Sequence, residues 1–285
     1  MFLPMNLGNF ASYVVLGYVF IWKMGQGVYG FVIIKTISEI VNMLLLLWIF
    51  GRYAHPETKK LGNFGDYFDS GTLAKYIPQY LQIFLGCYVS FSGIELLTVM
   101  IGSLQDVNFI AAWTCAFNIY NICLVFGSGM ANVARTDVGI KVGDYQLGMA
   151  KKYAAMGIVL AHAVSFVMGL LVMTFHVQLS SVFCEVPEVL EYLKPLMFYI
   201  GFAVWFGVGI TTFWTILRII NKAHVITIIS FLSLVVFLDI ACYLLLFHTS
   251  IPWAYITLVL ALSLAGNTLG MIVFLINYNW DRLNL

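Results

Sequence analysis

YIPQYLQIFLGCYVSFSGIELLTVMIGSL, residues 76–104, holds a single charge, Glu95, in an otherwise apolar run. A membrane-crossing helix needs about 20 mostly apolar residues, and this stretch exceeds that. A carboxylate at the centre of such a helix costs about 2.5 kcal/mol or more, because no water solvates it there. Acids in that position usually face a protein interior or a wet cavity. Glu95 is therefore the first candidate for function, and the rest of the chain is read as its surroundings.

The composition agrees with a membrane setting. Hydrophobic residues make up 62% of the 285 and charged residues only 9%, against about 25% charged in an ordinary soluble domain. The net charge of +1 gives no basic or acidic surplus for nucleic acid. Five cysteines lie mostly in apolar stretches, with neither a Cys-x-x-Cys pair nor metal-ligand spacing, and read as small core residues. No metal site or cofactor is expected. The first residues show no charged region followed by a cleavage site, so no signal peptide is expected.

Eight stretches fit membrane spans: 4–22, 27–50, 78–104, 107–133, 153–176, 192–217, 225–247 and 252–279. Of the 14 Lys and Arg residues, all but Lys23, Lys35 and Lys194 follow spans two, four, six or eight. Positive charge is retained on the cytoplasmic side, so both ends of this chain are expected there. The expected fold is all-α: a polytopic membrane protein of about eight helices. The long stretches 51–77 and 134–152 read as cytoplasmic connectors, the first with an interfacial helix near 66–76.

Polar residues inside the spans are the other candidates. Lys35 and Glu39, one turn apart, can pair on one helix face. Asn118 and Asn121 can line a cavity with Thr114. His162 is expected to make one interhelical hydrogen bond rather than to relay protons. Glu188 and Glu191, just after Pro187, read as complements to a helix N-terminus, not as a metal site. Asp239, within LVVFLDIACYLL, is a further intramembrane acid with no cation near it in sequence. No His cluster, paired carboxylates or nucleophile motif points to an enzyme.

Four segments together resemble one family: GVYGFVIIKTISEI (27–40), FSGIELLTVMIGSL (91–104), VARTDVGIKVGDYQLGMAKK (133–152), and CEVPEVLEYLKPLMFY with LRIINKA (184–199, 217–223). In this order the chain is similar to multidrug and toxic compound extrusion (MATE) transporters, of the multidrug/oligosaccharide-lipid/polysaccharide exporter group. The resemblance implies twelve spans in two lobes, of which this chain matches spans five to twelve. Residues 1–50 would be the last two helices of an incomplete first lobe, 51–77 the connector between lobes, and 78–285 the six-helix second lobe. It also implies antiport of an organic, cationic solute against a proton or sodium ion. Glu95 falls on a family glutamate and, with Asp239, would handle the coupling cation. Ser90, Asn118 and Asn121 would line the cavity. Ser90, Asn118 and Gly207 stand where the family carries acids, and Asp137 where it carries an arginine. The alternative reading is a transporter-derived structural subunit, with other membrane subunits completing the missing helices. In both readings the lipid bilayer is the surrounding partner.

Overall fold

The computed structural model describes residues 15–53 and 70–280. Among them every regular element is helical: α1 (Gly27–Tyr53), α2 (Ser70–Ser103), α3 (Val107–Gly143), α4 (Leu147–Thr174), α5 (His176–Phe183), α6 (Pro187–Ile219), α7 (Ala223–Ser230), α8 (Leu238–His248) and α9 (Tyr255–Asn277). Two π-helical segments, Tyr18–Lys23 and Phe231–Phe237, complete the series. The second joins α7 to α8 without a break. Six of the described helical stretches are long and apolar enough to cross a membrane: Tyr76–Ser103, α3, α4, α6, Ala223–His248 and α9. These correspond to the last six expected spans. The second expected span lies within α1, and residues 4–14 of the first lie outside the described residues.

The chain divides into two compact units, Met1–Leu73 and Ala74–Leu285. The division falls within the stretch read as a connector. Residues 51–53 and 70–77 of that stretch are helical, and 54–69 lie outside the described residues. In the first unit, positive φ at Gly25 (62°) and Gly27 (50°) turns the chain between the π segment and α1. Lys35 and Glu39 are both exposed on α1, and no ion pair links them among the described residues.

The second unit is built around α6. About two thirds of its apolar stretch is buried, more than in any other span. Helices α3, α4 and α9 pack against it. Lipid is as apolar as a leucine side chain, so spans associate by close packing rather than by leaving water. Small residues at the crossings allow this. A Cβ at Gly127 of α3 would come within 2.6 Å of the Val208 carbonyl oxygen. One at Gly201 of α6 would come within 2.7 Å of the Gly169 carbonyl oxygen on α4.

The turns are shorter than expected. Residues 134–152 were expected to form a connector, but α3 runs on to Gly143 and α4 starts at Leu147. The reason is a one-sided stripe: Ala134, Val138 and Val142 recur every four residues and are buried, while Arg135 and Asp137 point out. Three tight interhelical turns each place one residue in the left-handed region: Gln105 (φ 58°), Tyr145 (φ 60°) and Asn221 (φ 56°). Asp106 caps α3 by accepting from the Phe109 N–H at 3.0 Å, and the Tyr192 hydroxyl donates to its other oxygen at 3.1 Å. That pair ties the start of α3 to the first turns of α6. Helix α6 begins with Pro187, with Glu188 in its first turn, as the dipole argument expects.

Candidate functional site

The site is built on the α2–α3 hairpin. On α2 the buried stripe is Gly86, Ser90, Gly93, Ile94, Leu97 and Ile101, steps of three and four that keep one face inward. Glu95 lies off this stripe and is exposed, between Phe91 and Val99 on the same outward face. On α3, Trp113, Ala116, Tyr120 and Cys123 point in, while Thr114, Asn118 and Asn121 are exposed. The Trp113 indole N–H donates to the Thr98 hydroxyl at 3.3 Å, which fixes the hairpin register. Counting equal steps from that bond sets Glu95 level with Ala116. Asn118 is then about 3 Å further along the axis.

Helix α2 runs alongside Ala223–His248 in the same direction. A Cβ on Gly86 would meet the Thr227 hydroxyl at 3.2 Å, and one on Gly93 would run into the Leu234 carbonyl. From this register Asp239 lies about one turn, or 5 Å, beyond the level of Glu95. The candidate residues thus share one band of depth but not one surface. Asp239 is half-buried, and both of its carboxylate oxygens are enclosed with no hydrogen-bond partner.

A cavity of about 280 Å³, partly open beside the exposed Phe91, Val125 and Ser128, lies in this band. Of the five residues singled out from the sequence, Ser90 lines it; Glu95, Asn118, Asn121 and Asp239 do not. Its other polar lining comes from Ser128, Tyr120, Thr211 and Trp214. The three aliphatic hydroxyls each donate to their own helix: Ser90 to the Gly86 carbonyl at 2.7 Å, Ser128 to Val125 at 2.7 Å and Thr211 to Val208 at 2.8 Å. Their lone pairs remain as acceptors. The Trp214 indole N–H is buried without a partner. No charged residue lines the cavity among those described. Such a space suits a neutral or aromatic group, and the carboxylates of Glu95 and Asp239 lie outside its lining.

With Trp113 and Trp205, Trp214 reads from the sequence as a candidate aromatic substrate wall, though such residues more often serve packing; Tyr120 and Thr211 were not singled out as cavity residues. Their spacing matches ordinary helix packing, and nothing local marks them. Gly207 offers a clue only in hindsight: its missing side chain makes room for the Tyr120 ring.

His162 does not make the expected interhelical hydrogen bond. Its Nδ1 donates to the Ile158 carbonyl of its own helix at 3.0 Å, and Nε2 is buried without a partner. The ring packs edge-on against Phe213, centroids 5.4 Å apart, over Gly209 of α6. A glycine there lets the imidazole lie against bare backbone, which removes the reach to a polar partner. Among the described residues no group of three or more His, Cys, Asp or Glu side chains is placed to hold a metal ion.

The fold is similar to that of the eukaryotic MATE transporter AtDTX14, at a TM-score of 0.84 and 14% identity over 97% of this chain and 62% of that one. It is also similar to a multidrug resistance MATE family transporter of the MOP superfamily in an outward-facing conformation, at 0.77 and 17% over 94% and 59%. A MOP superfamily transporter from Pyrococcus furiosus matches at 0.76 and 17%, over 94% and 59%. The chain thus spans about three fifths of the length of these structures. No curated protein sequence matches. The MatE family model matches residues 83–244, from the second turn of Tyr76–Ser103 past Asp239. This multi-pass integral membrane protein belongs to the MatE family.

Proposed function

We propose that the protein acts as a cation-coupled antiporter, moving a small organic solute across the membrane against protons or sodium ions. The placement of Glu95 carries this reading. A carboxylate on the exposed face of a membrane-crossing helix cannot be left to lipid tails at acceptable cost. Its face must therefore meet water or protein, as a transport path would. Asn118 and Asn121, exposed on the next helix within about 8 Å of the depth of Glu95, offer neutral hydrogen-bonding groups in the same band. The enclosed Asp239 carboxylate calls for a proton or a cation to neutralise it. Glu95 and Asp239 then form the coupling pair, and a cationic solute competes with the coupling ion for them. The end of the bundle that gathers Lys151, Lys152, Arg218 and Lys222 would be the cytoplasmic one.

The test is Glu95→Gln in the native-length protein, reconstituted in vesicles with a pH or sodium gradient imposed. Gradient-driven efflux of a fluorescent organic cation should fall to the level of empty vesicles, with the protein still folded. Undiminished, still gradient-dependent efflux would remove Glu95 from the mechanism.

A further inference from the structure

Helices α4 and α9 both pack on α6 and leave a groove of about 440 Å³ between them. Ala154, Ala155 and Ile158 of α4 form one wall, Ile276 of α9 the other, and Phe213 of α6 lies at the back. The two alanines hold it open, because larger side chains would fill the space. At its mouth stand Lys151, which is exposed, and the indole of Trp280, which is buried. No carboxylate lines the groove among the described residues.

Depth and charge together identify the occupant. The α4 wall runs from Lys151 to Val159, about 12 Å at 1.5 Å per residue. That is most of one leaflet of hydrocarbon, roughly 15 Å. The mouth lies at the end of the bundle where Lys152 and Lys222 also sit, and an indole at a groove mouth matches the usual headgroup-level place of tryptophan. Lys222 stands over the Tyr278 ring at 5.9 Å, just past the end of α9, so a second cation flanks the same helix end.

We propose that this groove is a seat for one phospholipid with a net-negative headgroup. One acyl chain lies along Ala154, Ala155 and Ile158, and the headgroup meets the Lys151 ammonium. Lys151 provides the selection for negative charge, since the remaining walls accept any acyl chain. The seat stands apart from the proposed transport path, and its existence does not depend on that reading.

Trp280 provides the probe. The native-length protein is placed in phosphatidylcholine nanodiscs in which a minor fraction of the lipid carries brominated acyl chains. The quantity read is the quenching lost when Trp280 is replaced by Phe. At matched bromine content, brominated phosphatidylglycerol should quench Trp280 about fivefold more effectively than brominated phosphatidylcholine, the preference one lysine near the headgroups gives. Lys151→Gln should abolish the preference, whereas Lys151→Arg and Lys152→Gln should keep it. Ala155→Phe, which fills the groove from an exposed position, should remove quenching by both lipids. Equal quenching by the two lipids in the unmodified protein would overturn the proposal. So would a preference that survives Lys151→Gln.

Discussion

The Tyr120 ring of α3 occupies the space that a side chain at Gly207 of α6 would take. A Cβ on residue 207 would come within 2.8 Å of the ring's Cε2 and closer still to its hydroxyl. Both residues line the same cavity. The position where the family resemblance implies an acid is thus filled from across the interface by a phenol.

Gly207→Ala should therefore destabilise the second unit by about 1–3 kcal/mol, the usual cost of overpacking. Tyr120→Phe should recover part of that loss, because the atom nearest the added methyl is the hydroxyl oxygen. Thermal unfolding in detergent, run on both single variants and the double, reads the coupling. Strict additivity would contradict the contact.

Gly93→Ala should be more harmful than Gly139→Ala. The first puts a methyl group into the Leu234 backbone carbonyl, which cannot rotate aside. The second meets nothing within 4 Å on a helix interior, where alanine is favoured over glycine by up to about 1 kcal/mol. Expression yield and melting temperature should fall for Gly93→Ala and hold or rise for Gly139→Ala.

Asp106→Ala removes the cap of α3 and the acceptor of the Tyr192 hydroxyl in one step. Loss of a cap costs about 0.5–2 kcal/mol. Tyr192→Phe should cost less, since the Phe109 N–H keeps its acceptor. Hydrogen exchange at the first turn of α3 should rise strongly in the first variant and only slightly in the second.

Asp239→Asn separates coupling from folding. The native carboxylate is enclosed without a donor, so replacing it with a neutral amide of the same shape should leave the melting temperature unchanged or raised. Gradient-driven transport in vesicles should weaken. A protein that melts earlier, yet still transports, would show that Asp239 has a structural partner and no coupling role.

Much of the fold was legible from the sequence because crossing a membrane demands long apolar runs, and the placement of Lys and Arg alternates with them. The same logic misplaced the connector at 134–152. Charged residues such as Arg135 and Asp137 end a hydropathy run, yet the helix continues on the stripe Ala134, Val138 and Val142. Glu95 was legible because one charge stands alone in 29 residues. Its exposed side was not, since that depends on which neighbours cover Gly86, Ser90 and Gly93. The cavity was the least visible part. Ser90 entered through family likeness and Trp214 as one of three span tryptophans, while Tyr120 and Thr211 carry no local signal; only the crossing of α3 over α6 brings them together. His162 failed for a similar reason, as the glycine facing it lies 47 positions away in the chain.

The π segment Phe231–Phe237 sets the direction in which Asp239 points. Its hydrogen bonds span five residues rather than four, as in the Leu238 N–H bonded to the Ser233 carbonyl. Each turn there holds an additional residue, so α8 continues with its faces rotated relative to α7. Asp239, two residues past the segment, inherits that rotation in full. The span therefore behaves as a keyed shaft. If the segment tightened to an α-helix, or lost a single residue, the carboxylate would swing by an angle of the order of 100°, while the anchor between Ser230 and Asn267 on the other side of the joint stayed in place. A change of winding at this joint could thus present Asp239 to one environment or another without any helix leaving its neighbours.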